Sequence, residues 1–250
     1  MTARPTLREV LAEKPFALAM SSGFFGFFAH TGMLTALLEA DLAPVRVTGS
    51  SAGALVGGLW AAGLDPAHAR AALEGLTRGD FWDPAPGPGF LRGRKFRVLL
   101  ESLLPAPSFL QTRVPFAASV YDPLARHTVV ITEGRLAPAI HASCAVPLLF
   151  HPVRIGARFY VDGGVADRPG LAGMPAGICV LYHHLASRSP WRSAASMTVA
   201  RRAQLVALAI HALPRPHPFD LASGRRAIDL ALARTRLALT RPVEDGAVHV

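Results

Sequence analysis

Residues 45–64 constrain the fold of this chain more than any other stretch. A short strand-like run, Val45-Arg46-Val47-Thr48, meets Gly49-Ser50-Ser51-Ala52-Gly53, and an uncharged helix of mostly small residues follows. A strand that doubles back into a helix this quickly needs Gly49 and Gly53 at its flanks, because a side chain at either would clash with the returning chain. The middle residue then stands at the tip of the elbow, with Oγ pointing out of the fold and the helix N-terminus beneath it. Ser51 is therefore the candidate nucleophile, and Ser50 lacks the tip position.

The stretch before the elbow reads as a strand at Phe16–Met20, a loop over 21–28 and a helix from about Ala29 to Ala40. With Val45–Thr48 this makes a strand-helix-strand unit, so the two strands run parallel. The run from Phe16 to Leu38 contains no Asp, Glu, Lys or Arg and is long enough to span a bilayer. Its glycines, serines and His30 favour instead a buried strand, a loop and a buried helix in succession. Beyond the elbow, Gly63 closes the helix and Asp65-Pro66 opens another through about Leu76. The Asp83–Gly89 stretch is a rigid linker before a short amphipathic helix at Phe96–Leu104. Strands are expected at Val114–Tyr121 and Thr128–Thr132, a helix at Leu136–Ser143, and a hairpin around Gly156 that delivers Asp162 directly after a strand. A further core strand falls at Gly177–Tyr182, and helices are expected over Met197–Leu213 and Ala222–Leu239.

With 51% hydrophobic and 17% charged residues among 250, the chain has material for one sizeable core and is not disordered. The expected fold is α/β, with three layers and a mostly parallel central sheet flanked by helices. Its organisation reads as an N-terminal extension over 1–15, a catalytic core over 16–185, and an Arg-rich helical region over 186–250 packed on the same domain. Cys144 and Cys179 form no metal or disulfide spacing, which points to small buried hydrophobes in a reducing compartment. Met1–Lys14 has no apolar stretch of a secretory signal. The expected location is cytoplasmic, with peripheral contact at the membrane.

The formal net charge is +9, and ten arginines against Asp220 and Asp229 fall between Arg188 and Arg241. No aromatic interleaving or nucleic-acid module accompanies them, so nucleic acid is not the expected partner. An anionic membrane surface fits better, and an ordinary solvated basic face fits as well. The sequence sets no oligomeric state.

A serine hydroxyl needs a base. Among the histidines after the elbow, His183, His184, His211, His217 and His249 come late enough for a Ser-Asp-His order, yet none lies in a glycine-marked loop. Asp162 follows a strand and precedes Gly163-Gly164, which permit a tight loop and let a strand-end carboxylate meet the elbow. By itself Asp-Gly-Gly is also a common turn. Donors for an oxyanion are expected from backbone N–H groups in Ser22-Gly23-Phe24-Phe25-Gly26, the glycine-containing loop after the first strand.

Taken in order, Ser21-Ser22-Gly23-Phe24-Phe25-Gly26, Gly49-Ser50-Ser51-Ala52-Gly53 and Asp162-Gly163-Gly164 resemble the patatin-like phospholipase family. The block Ala142-Ser143-Cys144-Ala145-Val146-Pro147, with Phe150, Pro152, Tyr160 and Val161, extends the likeness over about Phe16 to Pro169. The resemblance implies a catalytic dyad in which Ser51 attacks an acyl ester and Asp162 is the base. It also implies oxyanion donors at Gly23 and Phe24, Gly49, Gly53 and Gly163 as motif glycines, and no metal or other cofactor. The implied substrates are phospholipids, lysophospholipids or related acyl lipids. The family's loop usually carries three glycines and then Lys or Arg, where this chain has phenylalanines around Gly26. Two alternatives stay open: a Ser-His-Asp esterase, and a catalytically degenerate protein that binds lipid surfaces.

Overall fold

A computed structural model describes residues 4–186 and 198–250. In chain order the first half comprises α1 (Leu7–Glu13), β1 (Phe16–Met20), α2 (Phe27–Glu39), β2 (Arg46–Ser50), α3 (Ala52–Ala61), α4 (Pro66–Gly75), β3 (Gly89–Leu91), α5 (Arg94–Leu103) and β4 (Phe116–Asp122). There follow β5 (His127–Ile131), α6 (Leu136–Ser143), β6 (Leu148–Phe150), β7 (Val153–Ile155), β8 (Arg158–Asp162), β9 (Cys179–Leu185), β10 (Leu205–Ile210), α7 (Ala222–Leu239) and β11 (Ala247–His249).

The main sheet runs β11-β10-β9-β1-β2-β4-β8-β7, and β5 also pairs with β4. The strands from β11 to β4 are parallel, while β5 and β8 run antiparallel to β4. Since β5 occupies one edge of β4, β2 and β8 share the other. β2 pairs along it as far as Ser50↔Ser119, and β8 takes over at Val120↔Asp162. The ends of two strands distant in sequence therefore meet at one place.

The charge-free run resolves into β1, a loop and α2. Every residue of β1 is buried, as a central parallel strand covered on both faces requires. One face of the sheet carries α1, α2, α3, α6 and α7 over a core that includes Leu18, Met20, Met33, Leu37, Val47 and Ile140. Leu7 and Leu11 of α1 join that core. The other face presents Ala17, Ala19, Val180, Tyr182 and Ala207, packed by Leu171, Met174, Ile178, Val199 and Ala200. Gly170, Gly173 and Pro175 disfavour a helix, and an irregular segment forms this layer among the described residues.

The helix expected over Met197–Leu213 is corrected by β10. Leu205-Val206-Ala207-Leu208-Ala209-Ile210 consists mostly of good helix formers, but it has no polar face. It is bracketed by left-handed backbone at Gln204 (φ 58°) and Ala212 (φ 53°). Pairing with β9 and β11 buries it on both sides, and that tertiary context overrides propensity. Met197, Arg188 and Arg192 lie outside the described residues. Several remaining arginines are held by the fold: Arg236 pairs with Glu39 at 2.7 Å, Arg225 donates to the Glu74 carbonyl, and Arg202 donates to the carbonyls of Met174 and Pro175.

Candidate active site

Ser51 sits between β2 and α3 with φ 53° and ψ −119°. A non-glycine residue held there stores about 1–3 kcal/mol of strain, so the surroundings must fix it. Its N–H donates to Ser143 Oγ at 2.9 Å, and the Ser143 hydroxyl donates onward to the Ser119 carbonyl at 2.6 Å. Its carbonyl accepts from Leu55 N–H at 3.0 Å and from the Cys144 thiol at 3.3 Å. Burial, and then the nearby Asp162 carboxylate, push the Cys144 pKa well above the ordinary thiol value, which keeps the sulfur a donor. Ser143 and Cys144, at the end of α6, thus grip the backbone of the elbow. Their sequence signal was the conspicuous Ala142–Pro147 block, but nothing in it stated this role.

The glycines permit the close approach. A Cβ on Gly53 would fall on the Met20 carbonyl oxygen, and one on Gly49 would fall on the Gly53 backbone. Gly163 lies equally close to the Ser119 carbonyl, and a Cβ on Gly164 would meet Ser22 Oγ at 2.5 Å. The elbow, the Asp-Gly-Gly turn and the loop after β1 are therefore interlocked.

The shared edge of β4 brings the two candidate reacting residues together. Ser51 Oγ donates to Asp162 Oδ2 at 2.6 Å, and Gly164 N–H donates to Oδ1 at 2.7 Å. Both residues are buried, so this charge-assisted bond works in a poorly solvated setting. The late histidines have other partners. His183 is bonded to His30, His184 to Tyr182 and His211 to His249, while His217 Nδ1 accepts from Phe219 N–H. Ser50 is fully buried at the end of β2, with its hydroxyl unpartnered among the described residues.

Gly23 and Phe24 line the same cavity as Ser51. In their loop, Ser22 N–H is taken by the Arg168 carbonyl and Gly26 N–H by the Gly23 carbonyl. Among the described residues the N–H groups of Gly23 and Phe24 donate to no protein acceptor. The loop is pinned from below: His30 Nε2 donates to the Ser21 carbonyl at 2.8 Å, and Leu185 N–H donates to Ser21 Oγ at 3.0 Å. This fixes the tautomers. His30 carries its proton on Nε2, so its Nδ1 accepts from His183 Nδ1–H across 2.8 Å. Burial lowers the His30 pKa to about 4, and burial with two neighbouring imidazoles sets His183 well below the ordinary value.

From Ser51 a cavity extends into the helical layer. Apart from Ser51, Thr31 and Cys144, its lining side chains are apolar or aromatic. Ala52, Leu55, Val56, Leu59 and Trp60 form one stripe of α3 along it, a depth of about 12 Å at 1.5 Å per residue. Of the phenylalanines after β1, Phe24, Phe25 and Phe27 line the cavity, whereas Phe28 is fully buried against Gly224 of α7. No group of three or more His, Cys, Asp or Glu residues is placed to hold a metal among the described residues.

The sequence model of a family described as patatin-like phospholipase matches residues 18–174. An uncharacterized NTE family protein of Mycobacterium tuberculosis is 36% identical over 154 residues, covering 60% of this chain and 43% of the relative. A second NTE family protein of that organism is 27% identical over 162 residues, covering 63% of this chain and 27% of the relative. The chain thus spans less than half the length of these curated relatives. Among solved structures, VipD from Legionella pneumophila superposes with a TM-score of 0.65 at 14% identity, over 90% of this chain and 66% of that one; the likeness is one of fold.

Proposed function

The chain belongs to the patatin-like phospholipase family, and on that premise we propose that it hydrolyses carboxylic esters of acyl lipids through a dyad of Ser51 and Asp162. The observation that carries this reading is the 2.6 Å bond from Ser51 Oγ to Asp162 Oδ2 at one end of a deep apolar cavity. The cavity suits a long acyl chain and offers no charged lining group for a polar one.

In the proposed reaction Ser51 Oγ attacks the ester carbonyl carbon as its proton passes to Asp162 Oδ2. The N–H groups of Gly23 and Phe24 hold the developing oxyanion. The C–O bond to the leaving alcohol breaks, and Asp162 returns its proton to that oxygen. Water, deprotonated by Asp162, then attacks the acyl-enzyme, releasing the fatty acid and restoring Ser51. An aspartate can serve as base here because Gly164 N–H fixes one carboxylate oxygen and leaves the other directed at Ser51. A phospholipid, a lysophospholipid or a neutral lipid would each satisfy the acyl site. The expected setting is a lipid surface; among the described residues no helix is long and apolar enough to cross a membrane.

The test is hydrolysis of short p-nitrophenyl esters by purified variants whose circular dichroism matches wild type. Ser51→Ala and Asp162→Asn should each reduce kcat by at least about a thousandfold. Full activity in Asp162→Asn would refute the dyad. Full activity there with loss on changing a late histidine would favour a Ser-His-Asp esterase.

A further inference from the structure

An outward-facing apolar collar drawn from separate segments lies beside the cavity. Phe219, 71% exposed, and Phe90, 51% exposed, both pack edge-on to Trp82, with ring centroids 5.9 and 5.5 Å away. Leu148, 83% exposed, pairs with Gly89, the neighbour of Phe90. Trp82, Pro218 and Leu149 line the cavity itself, so the collar and the cavity are continuous.

Two features show that the collar is held outward. Leu148 has φ 67°, a conformation that costs a bulky residue energy, and the β3–β6 pairing locks it there. The Arg78 guanidinium lies 5.5 Å from the Trp82 ring and 5.0 Å from the Phe219 ring, which fixes both aromatics to one cation. The segment from Arg78 to Arg97 carries five basic and two acidic residues. Its acids are engaged internally, Asp80 by Thr77 and Asp83 by the N–H groups of Gly93 and Lys95. Arg92, Arg94 and Lys95 are exposed beside the collar.

We propose that this collar is the membrane-docking surface: Phe90, Leu148 and Phe219 enter the interface of an anionic lipid bilayer while Arg78, Arg92, Arg94 and Lys95 meet its headgroups. The cavity then opens into the acyl layer, and an ester-linked chain reaches Ser51 without crossing water. Aromatic rings beside cations suit the boundary between headgroup and hydrocarbon. A second copy of this chain is disfavoured as occupant, because it would place like cations face to face. The role given to the cavity rests on the acyl-hydrolase reading; the docking surface itself does not. α7 carries arginines as well, but Arg236 is paired with Glu39, and the exposed rings of Phe90 and Phe219 stand at the collar and not on α7.

The experiment measures partition of the full chain onto vesicles of phosphatidylcholine with phosphatidylglycerol, for wild type, Leu148→Asp/Phe219→Asp and Arg226→Ala/Arg241→Ala. The collar variant should bind on the order of 100-fold more weakly while hydrolysing soluble p-nitrophenyl butyrate at the wild-type rate. The α7-side variant should bind within about threefold of wild type. Unchanged partition in the collar variant overturns the proposal, as does a larger loss in the α7-side variant. Sedimentation showing a wild-type dimer that the collar variant dissolves would assign the surface to self-association instead. If wild type lacks esterase activity but the collar variant still loses vesicle binding, the acyl-hydrolase reading fails and the docking surface stands.

Discussion

Replacing His30 by glutamine should make the protein markedly less sensitive to acid. In the native state His30 is wholly buried, and its pKa falls from 6.5 to about 4. The sign follows from linkage: as pH drops below 6.5 the unfolded chain takes up a proton that the folded chain refuses, so stability declines between pH 6.5 and about 4 and levels off below that. At about pH 5 the difference in proton binding integrates to about 2 kcal/mol for His30 alone. His141, lowered to about 3 by burial and then by Arg97, loses about 2 kcal/mol over the same interval. His183 adds in the same direction. Against a typical total of about 5–15 kcal/mol this is a large fraction. Glutamine can donate to the Ser21 carbonyl and accept from His183, yet it does not titrate. Urea unfolding at about pH 7.5 and about pH 5 should therefore show a stability loss in His30→Gln smaller than in wild type by about 2 kcal/mol or slightly more. Equal losses in the two proteins would refute the assignment of His30 as a buried neutral imidazole.

Two further outcomes follow from the site. Ser143→Ala removes the acceptor for Ser51 N–H and should lower kcat at least about tenfold, with KM for short esters nearly unchanged, because the strained elbow loses its tether; steady-state kinetics on p-nitrophenyl butyrate would show this. Leu59→Trp should obstruct the cavity about two turns of α3 below Ser51. Activity on p-nitrophenyl palmitate should fall at least about tenfold relative to butyrate, at an overpacking cost of about 1–3 kcal/mol visible in thermal melts.

Much of the fold was legible because its signals are local. Val45–Gly53 encodes a turn that only small flanking residues permit, the charge-free run resolves as a buried strand and helix, and Gly156 marks the hairpin before Asp162. Asp65-Pro66 announces α4 through a cap and a proline at its first turn. The stretch Leu205–Ile210 reads as helix because leucine and alanine carry helix propensity, whereas the strand's reason to exist is a neighbour on either side. The same limit hid His30 and His183, which are 153 positions apart and meet only when α2 packs over β9.

The sequence by itself determined that a serine would stand on a strained elbow and that a carboxylate would follow a strand far downstream. It did not determine that they would touch. That was decided by the register of β4, whose single edge is used first by β2 up to Ser119 and then by the antiparallel β8 from Val120. A contact between residues 111 positions apart depends on how strands pair in space, and no periodicity within either strand records it. The cavity is likewise tertiary: one stripe of α3 supplies its floor, but α4, α5 and the loop after β1 must close around that stripe before there is a space for a chain to occupy.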